Sequence, residues 1–129
     1  MMNEREALIV EDNLMNSEIL ETLLLQHGIT PTSVTLPKDI QAAASKLSNL
    51  AVIFLDLEFP NADGFQIHRE LKATDWAKDI PVVAYTVHLG EMDRARREGF
   101  DGFIGKPVAP SHFEMLLKQI LAGQAVWYL

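Results

Sequence analysis

There is no cysteine among the 129 residues, which excludes disulfides, zinc–thiolate sites and thiol chemistry at once. Long apolar runs are missing too. Each is a handful of residues, far short of the ~20 needed to span a bilayer, so no membrane association is expected. The N-terminus, MMNEREALIV, carries charges but lacks a long apolar stretch and a small-residue cleavage site, and does not read as a secretory leader. Basic residues are outnumbered: 11 Lys and Arg stand against 18 Asp and Glu, for a formal charge of −7. That balance repels phosphates and argues against direct DNA binding. The profile is that of a cytoplasmic globular chain, of a length that suits one domain with a real core.

What is present is an alternation. ALIV (7–10), SVTL (33–36), AVIFL (51–55), IPVVAY (80–85) and GFIG (102–105) are short apolar runs that suit buried strands. Between them lie amphipathic stretches at 13–28, 37–49, 64–76, 91–99 and 109–123. In the first of these Asn13 is placed to cap a helix, Ile19, Leu20, Leu23 and Leu24 follow helical spacing, and Gly28 sits where a C-cap belongs. Five strands alternating with five helices predict an α/β fold, a doubly wound parallel sheet covered on both faces. Connections are short and leave no room for a linker or a second domain. In such folds the working site lies at the carboxyl ends of the strands.

The strand ends are chemically loaded. The first run stops at Glu11-Asp12 and the third at Asp56, followed by Glu58, Pro60, Asp63 and Gly64. If the two strands are neighbours, three carboxylates meet at one edge of the sheet. Two unit charges ~4 Å apart cost ~4 kcal/mol at an effective dielectric near 20, so a cation or a shifted pKa must relieve them. Clustered carboxylates without histidine or cysteine nearby in sequence suit a hard, oxygen-seeking ion such as Mg²⁺. The fourth strand ends in Tyr85-Thr86, and the fifth leads to Lys106-Pro107. A carboxylate between a divalent ion and a lysine, with a hydroxyl at hand, is an acceptor for a phosphoryl group. Asp56 is the expected nucleophile.

VEDN (10–13), FLDLEFPNADGF (54–65), AYT (84–86) and GFDGFIGKPV (99–108), in this order and spacing, make the chain resemble a response-regulator receiver domain of two-component signalling. The resemblance implies a flavodoxin-like, three-layer receiver sandwich with a five-stranded sheet. It implies that Asp56 is the phosphoacceptor and that Asp12, Asp56 and the main-chain carbonyl of Glu58 hold Mg²⁺, with Glu11 acting through water. Lys106, Thr86 and the backbone N–H of Val87 would contact the phosphoryl group. Thr86 and Phe103 fall at the switch positions, and the surface around the fourth helix and fifth strand would report the state. The implied partners are a sensor histidine kinase or histidine phosphotransfer protein and a downstream protein target, for a stand-alone receiver that is a slow self-phosphatase and no metabolic enzyme.

Each residue has a plainer reading. Glu11-Asp12 alone is a polar loop or cap, Lys106 a surface lysine, Thr86 a strand end, Phe103 a buried strand aromatic, and Pro60 and Gly64 turn residues. His27, His68, His88 and His112 show no metal spacing; His88, two after Thr86, could overhang the site. Val87 departs from the family, where a small residue is usual. A pseudo-receiver that binds partners without phosphorylation is the alternative, favoured only by Val87. A flavodoxin-like cofactor binder would want glycines and free N–H groups where this chain has Glu11 and Asp12, and a haloacid-dehalogenase-like phosphatase is normally longer and capped. The expected division is a receiver over 1–123 and an apolar tail over 124–129. Val126, Trp127, Tyr128 and Leu129 in that tail are expected to pack on the domain, on a second subunit in a homodimer, or on a partner.

Overall fold

The computed structural model describes residues 4–129. Eight strands and five α-helices follow one another as β1 (Glu6–Val10), α1 (Leu14–Gln26), β2 (Thr30–Val34), α2 (Ile40–Ala44), β3 (Leu50–Leu55), β4 (Glu58–Phe59), β5 (Ala62–Asp63), α3 (Gly64–Lys72), β6 (Val82–Thr86), α4 (Met92–Arg97), β7 (Gly102–Gly105), α5 (Pro110–Leu121) and β8 (Val126–Tyr128). Six of the strands form one parallel sheet in the order β2-β1-β3-β6-β7-β8. β4 and β5 make a separate antiparallel hairpin. The fold class is the expected doubly wound α/β sandwich, but the main sheet has six strands rather than five. The extra one comes from the apolar residues after α5, which pair with β7.

The strand runs are apolar on both sides because both sheet faces are covered, and the pleat sends alternate residues to opposite layers. Ala7, Ile9, Phe54, Val83, Tyr85 and Ile104 face one core with Leu20 and Leu24 of α1 and Phe113 and Leu117 of α5. Leu8, Val10, Ile53, Leu55, Ala84 and Phe103 face the other, with Phe65, Ile67 and Leu71 of α3 and Ala95 of α4.

Local chemistry sets the helix ends. Asn13 caps α1, its side chain accepting from the Asn16 N–H at 3.0 Å, and Gly28 takes φ +75° just past the helix. Ile19 is 40% exposed although it follows the helical spacing. The stretch expected as one helix over 37–49 is a 3₁₀ turn at Pro37–Asp39 followed by the short α2. The Ser45 hydroxyl donates to the Ala42 carbonyl at 2.7 Å at its end, competition that shortens helices. Thr74 does the same to Leu71, also at 2.7 Å, just beyond the end of α3. β2 occupies 30–34 rather than 33–36 and includes Pro31, which is tolerated because β2 is an edge strand. Among the described residues no helix is long and apolar enough to cross a membrane.

Candidate phosphoacceptor site

β1 and β3 are hydrogen-bonded neighbours, with Val10 opposite Leu55, so the residues just after them arrive together. The Asp56 N–H continues the ladder onto the Val10 carbonyl at 3.0 Å. Carboxylate oxygens of Glu11, Asp12 and Asp56 lie within 4.8 Å of one another. Glu11 and Asp56 are buried, at 2% and 7% exposure, while Asp12 is open to solvent. Lys106 leaves the end of β7 and places its ammonium against Glu11 Oε1 and 3.3 Å from Asp56 Oδ2. The backbone holds the other oxygens: the Asn13 N–H donates to Glu11 Oε2 at 3.2 Å and the Glu58 N–H to Asp56 Oδ1 at 3.4 Å.

The electrostatic state follows from burial. Desolvation, with the Asp56 charge adding to it, pushes the Glu11 carboxyl from 4.5 up to about 7 against the opposing hydrogen bond and charge of Lys106. One lysine does not satisfy two buried carboxylates and an open third. A hard divalent cation fits this all-oxygen donor set.

The cleft over the cluster, about 390 Å³, is lined by Asn16, Phe59, Pro60, Val87 and His88 as well as the acids and Lys106. Val87 is 57% exposed, so its side chain stands at the rim. The side chains of Glu58 and His88, both lining the cleft, are in contact through Oε2 and Nε2. Thr86 ends β6 fully buried. It is not among the cleft's lining residues, and its hydroxyl accepts the His88 N–H at 3.1 Å. Its carbonyl accepts the Lys106 N–H at 3.0 Å. Phe103 is wholly buried in the core on the α3 and α4 side. The expected set is therefore gathered at the ends of four strands, with Thr86 one step back from the cleft and Phe103 in the core.

Two features escaped the sequence reading. Gly64, read as a turn residue, begins α3 pressed against the backbone of Asp56 and Leu57 just after β3. A Cβ there would lie 2.5 Å from Leu57 Cα and 2.7 Å from the Asp56 carbonyl oxygen, so no other residue fits. The Glu58–His88 contact needs both the β4–β5 hairpin and the loop after β6 in place; only the placing of His88 two residues after Thr86 hinted at it.

The model of the response regulator receiver domain family matches residues 7–118, and the chain belongs to that family. It is 31% identical over 121 residues to the phosphate regulon transcriptional regulatory protein PhoB of Escherichia coli (strain K12), a match covering 91% of this chain and 52% of that protein. It is 29% identical over 121 residues to hybrid signal transduction histidine kinase L of Dictyostelium discoideum, covering 88% of this chain and 7% of the kinase. The chain thus spans about half the length, or less, of these relatives. Among solved structures, a CheY-like receiver domain from Methylobacillus flagellatus aligns with TM-score 0.79 at 27% identity, over 92% of this chain and 99% of that one. The receiver domain of sensor histidine kinase PA1611 from Pseudomonas aeruginosa PAO1 aligns with TM-score 0.78 at 24% identity, over 93% and 99%, and has a magnesium ion coordinated in its active-site cleft.

Proposed function

We propose that this chain takes a phosphoryl group from a phosphohistidine onto Asp56 in a Mg²⁺-dependent reaction and so switches a protein-interaction surface. The observation that supports it is the meeting of Glu11, Asp12 and Asp56 with the buried ammonium of Lys106. An Asp56 carboxylate oxygen attacks phosphorus in line as the P–N bond breaks. The bonding pair returns to the imidazole, which takes its proton from water, and an acyl phosphate remains. Lys106, already within 3.3 Å of Asp56 Oδ2, neutralises charge on the transferred oxygens, and the Val87 N–H and Thr86 hydroxyl supply hydrogen bonds. Held by Asp12, Asp56 and the Glu58 carbonyl, with Glu11 acting through water, Mg²⁺ would supply the remaining positive charge. Water reaching the same phosphorus makes the domain a slow self-phosphatase. The donor is a sensor kinase or phosphotransfer protein, the recipient of the signal a downstream protein target, and the setting the cytoplasm, where such donors are charged.

The test is intact-mass analysis after incubation with acetyl phosphate and Mg²⁺. One added phosphate is expected in the natural protein and none in Asp56→Asn. Label that survives in Asp56→Asn moves the acceptor elsewhere. No label in either protein turns the reading into that of a binding module that works unphosphorylated.

A further inference from the structure

β8 is held on three sides. Its backbone pairs with β7, Gly102 opposite Val126, Phe103 opposite Trp127 and Ile104 opposite Tyr128. The Arg96 guanidinium of α4 lies over the Trp127 ring at 4.5 Å. The Tyr128 hydroxyl meets His112 Nδ1 of α5 at 2.5 Å. Glycines in β7 make room for this: a Cβ on Gly102 would stand 2.8 Å from Val126 Cγ2 and 3.0 Å from the Val126 carbonyl oxygen. The strand therefore occupies the β7 edge, between the two helices that flank it.

Gly105 joins this strand to the acceptor site. The next residue along the chain is Lys106, which contacts Asp56. Across the ladder Gly105 pairs with Thr86. Leu89, three residues beyond Thr86, fills the space where a Gly105 Cβ would be, its Cδ2 2.6 Å from that point, and the Leu129 backbone lies 3.4 Å from it. The loop after Thr86 and the end of β8 thus press on one glycine. The Thr86 hydroxyl is engaged with the His88 N–H and does not line the cleft. To donate to an oxygen on a phosphorylated Asp56 it must turn toward the cleft and give up its present seat. A charge-assisted bond to that oxygen, roughly twice as strong as a neutral one, favours the turn. His88 would then lose the acceptor that ties its N–H to Thr86, which would free the loop that seats Leu89 on Gly105.

The geometry points to β8 being a strap coupled to the acceptor: modification of Asp56 lifts Leu89 from Gly105, loosens Val126–Tyr128 from β7, and frees Trp127 and Tyr128 for a protein partner. The inference rests on Asp56 being the phosphoacceptor. A three-residue edge strand is a unit of low local stability, so the loss of packing at one end shifts its population.

Trp127 reports the seat directly once Trp76 is replaced by Phe. In the unmodified protein its emission is blue-shifted and shielded from iodide. Mg²⁺ with beryllofluoride, an acyl-phosphate mimic, shifts it to the red and opens it to iodide, and Asp56→Asn abolishes both changes. Leu89→Ala, at a half-exposed position, produces part of the same shift without beryllofluoride. Fluorine NMR shows separately whether beryllofluoride has bound. Bound beryllofluoride with unchanged Trp127 emission and quenching overturns the strap, as does a silent Leu89→Ala. Absence of bound beryllofluoride overturns instead the assignment of Asp56.

Discussion

Glu11 and His68 are both 2% exposed, and the chain treats the two buried titratable groups in opposite ways. Glu11 sits in a network: Lys106 contacts it, the Asn13 N–H donates to it, and Asp56 shares the lysine. His68, on α3, lies stacked on Phe100 with ring centroids 4.0 Å apart and planes 14° from parallel. Among the described residues neither of its ring nitrogens has a hydrogen-bond partner. Phe100 also takes the edge of Phe65 at 5.6 Å, and the Arg94 guanidinium covers Phe65 at 3.8 Å. The sequence assigns His68 no metal role; within α3 it is a core residue used as a flat ring. Burial pushes the Glu11 carboxyl up to about 7 and the His68 imidazole down, the charge of Lys72 adding to the latter. Both shifts favour the neutral form. The cleft gathers three carboxylates around one ammonium, whereas His68 is packed as a ring against Phe100.

The comparison breaks most visibly at Lys106. Its side chain is 5% exposed between two carboxylates, and removing one partner of a buried ion pair costs on the order of 3–5 kcal/mol. Lys106→Met should lose that much stability in urea denaturation near pH 8 without Mg²⁺. The loss should shrink near pH 5, where Glu11 holds a proton, and added Mg²⁺ should recover part of it. A loss that ignores both pH and Mg²⁺ would mean the carboxylates do not depend on the lysine for their charge balance.

A smaller effect is expected at His68. Removing a buried polar group that lacks partners relieves its desolvation, so His68→Leu should stabilise the fold by about 1 kcal/mol. Stability against pH separates the two regions, because their slopes have opposite signs. The folded pKa of Glu11 is raised, so its favourable contribution is complete below 4.5 and disappears as pH rises through about 7. The folded pKa of His68 is lowered from 6.5, so its contribution is complete above 6.5 and disappears as pH falls through the lower folded value. Glu11→Gln should flatten the decline between 4.5 and about 7 in the Mg²⁺-free protein. His68→Leu should flatten the fall on the acid side of 6.5. Identical pH profiles for His68→Leu and the natural protein would show that the imidazole protonates freely in place.

The smallest change belongs to the rim. Val87 lines the cleft and is 57% exposed, and its β-branched side chain is stiff. Val87→Ala should speed both acetyl phosphate labelling and loss of phosphate by roughly two- to tenfold, equivalent to ~1 kcal/mol in the barrier, with Mg²⁺ affinity unchanged. Equal rates would show that the side chain stands clear of the attack path.

By itself the sequence determined the alternation of strands and helices, and through it the parallel sheet. Apolar runs of strand length, helix caps and short connections leave few other arrangements. It also determined which side chains meet at the carboxyl ends of the strands: Glu11-Asp12, Asp56 and Lys106 converge as soon as the strands are laid side by side, with Thr86 one step behind. Tertiary structure alone decided the rest. Val126, Trp127 and Tyr128 are all strand formers, but three residues are too few to show a period, and the strand exists because glycines in β7 and side chains on α4 and α5 receive it. The contact between Glu58 and His88 joins the β4–β5 hairpin to the loop after β6, segments separate in the chain. The burial of His68 depends on Phe100 arriving over its ring. Periodicity and strand ends are written locally, one residue after another. Edge pairing, loop contacts and the depth of a single ring are set by what the chain brings from elsewhere.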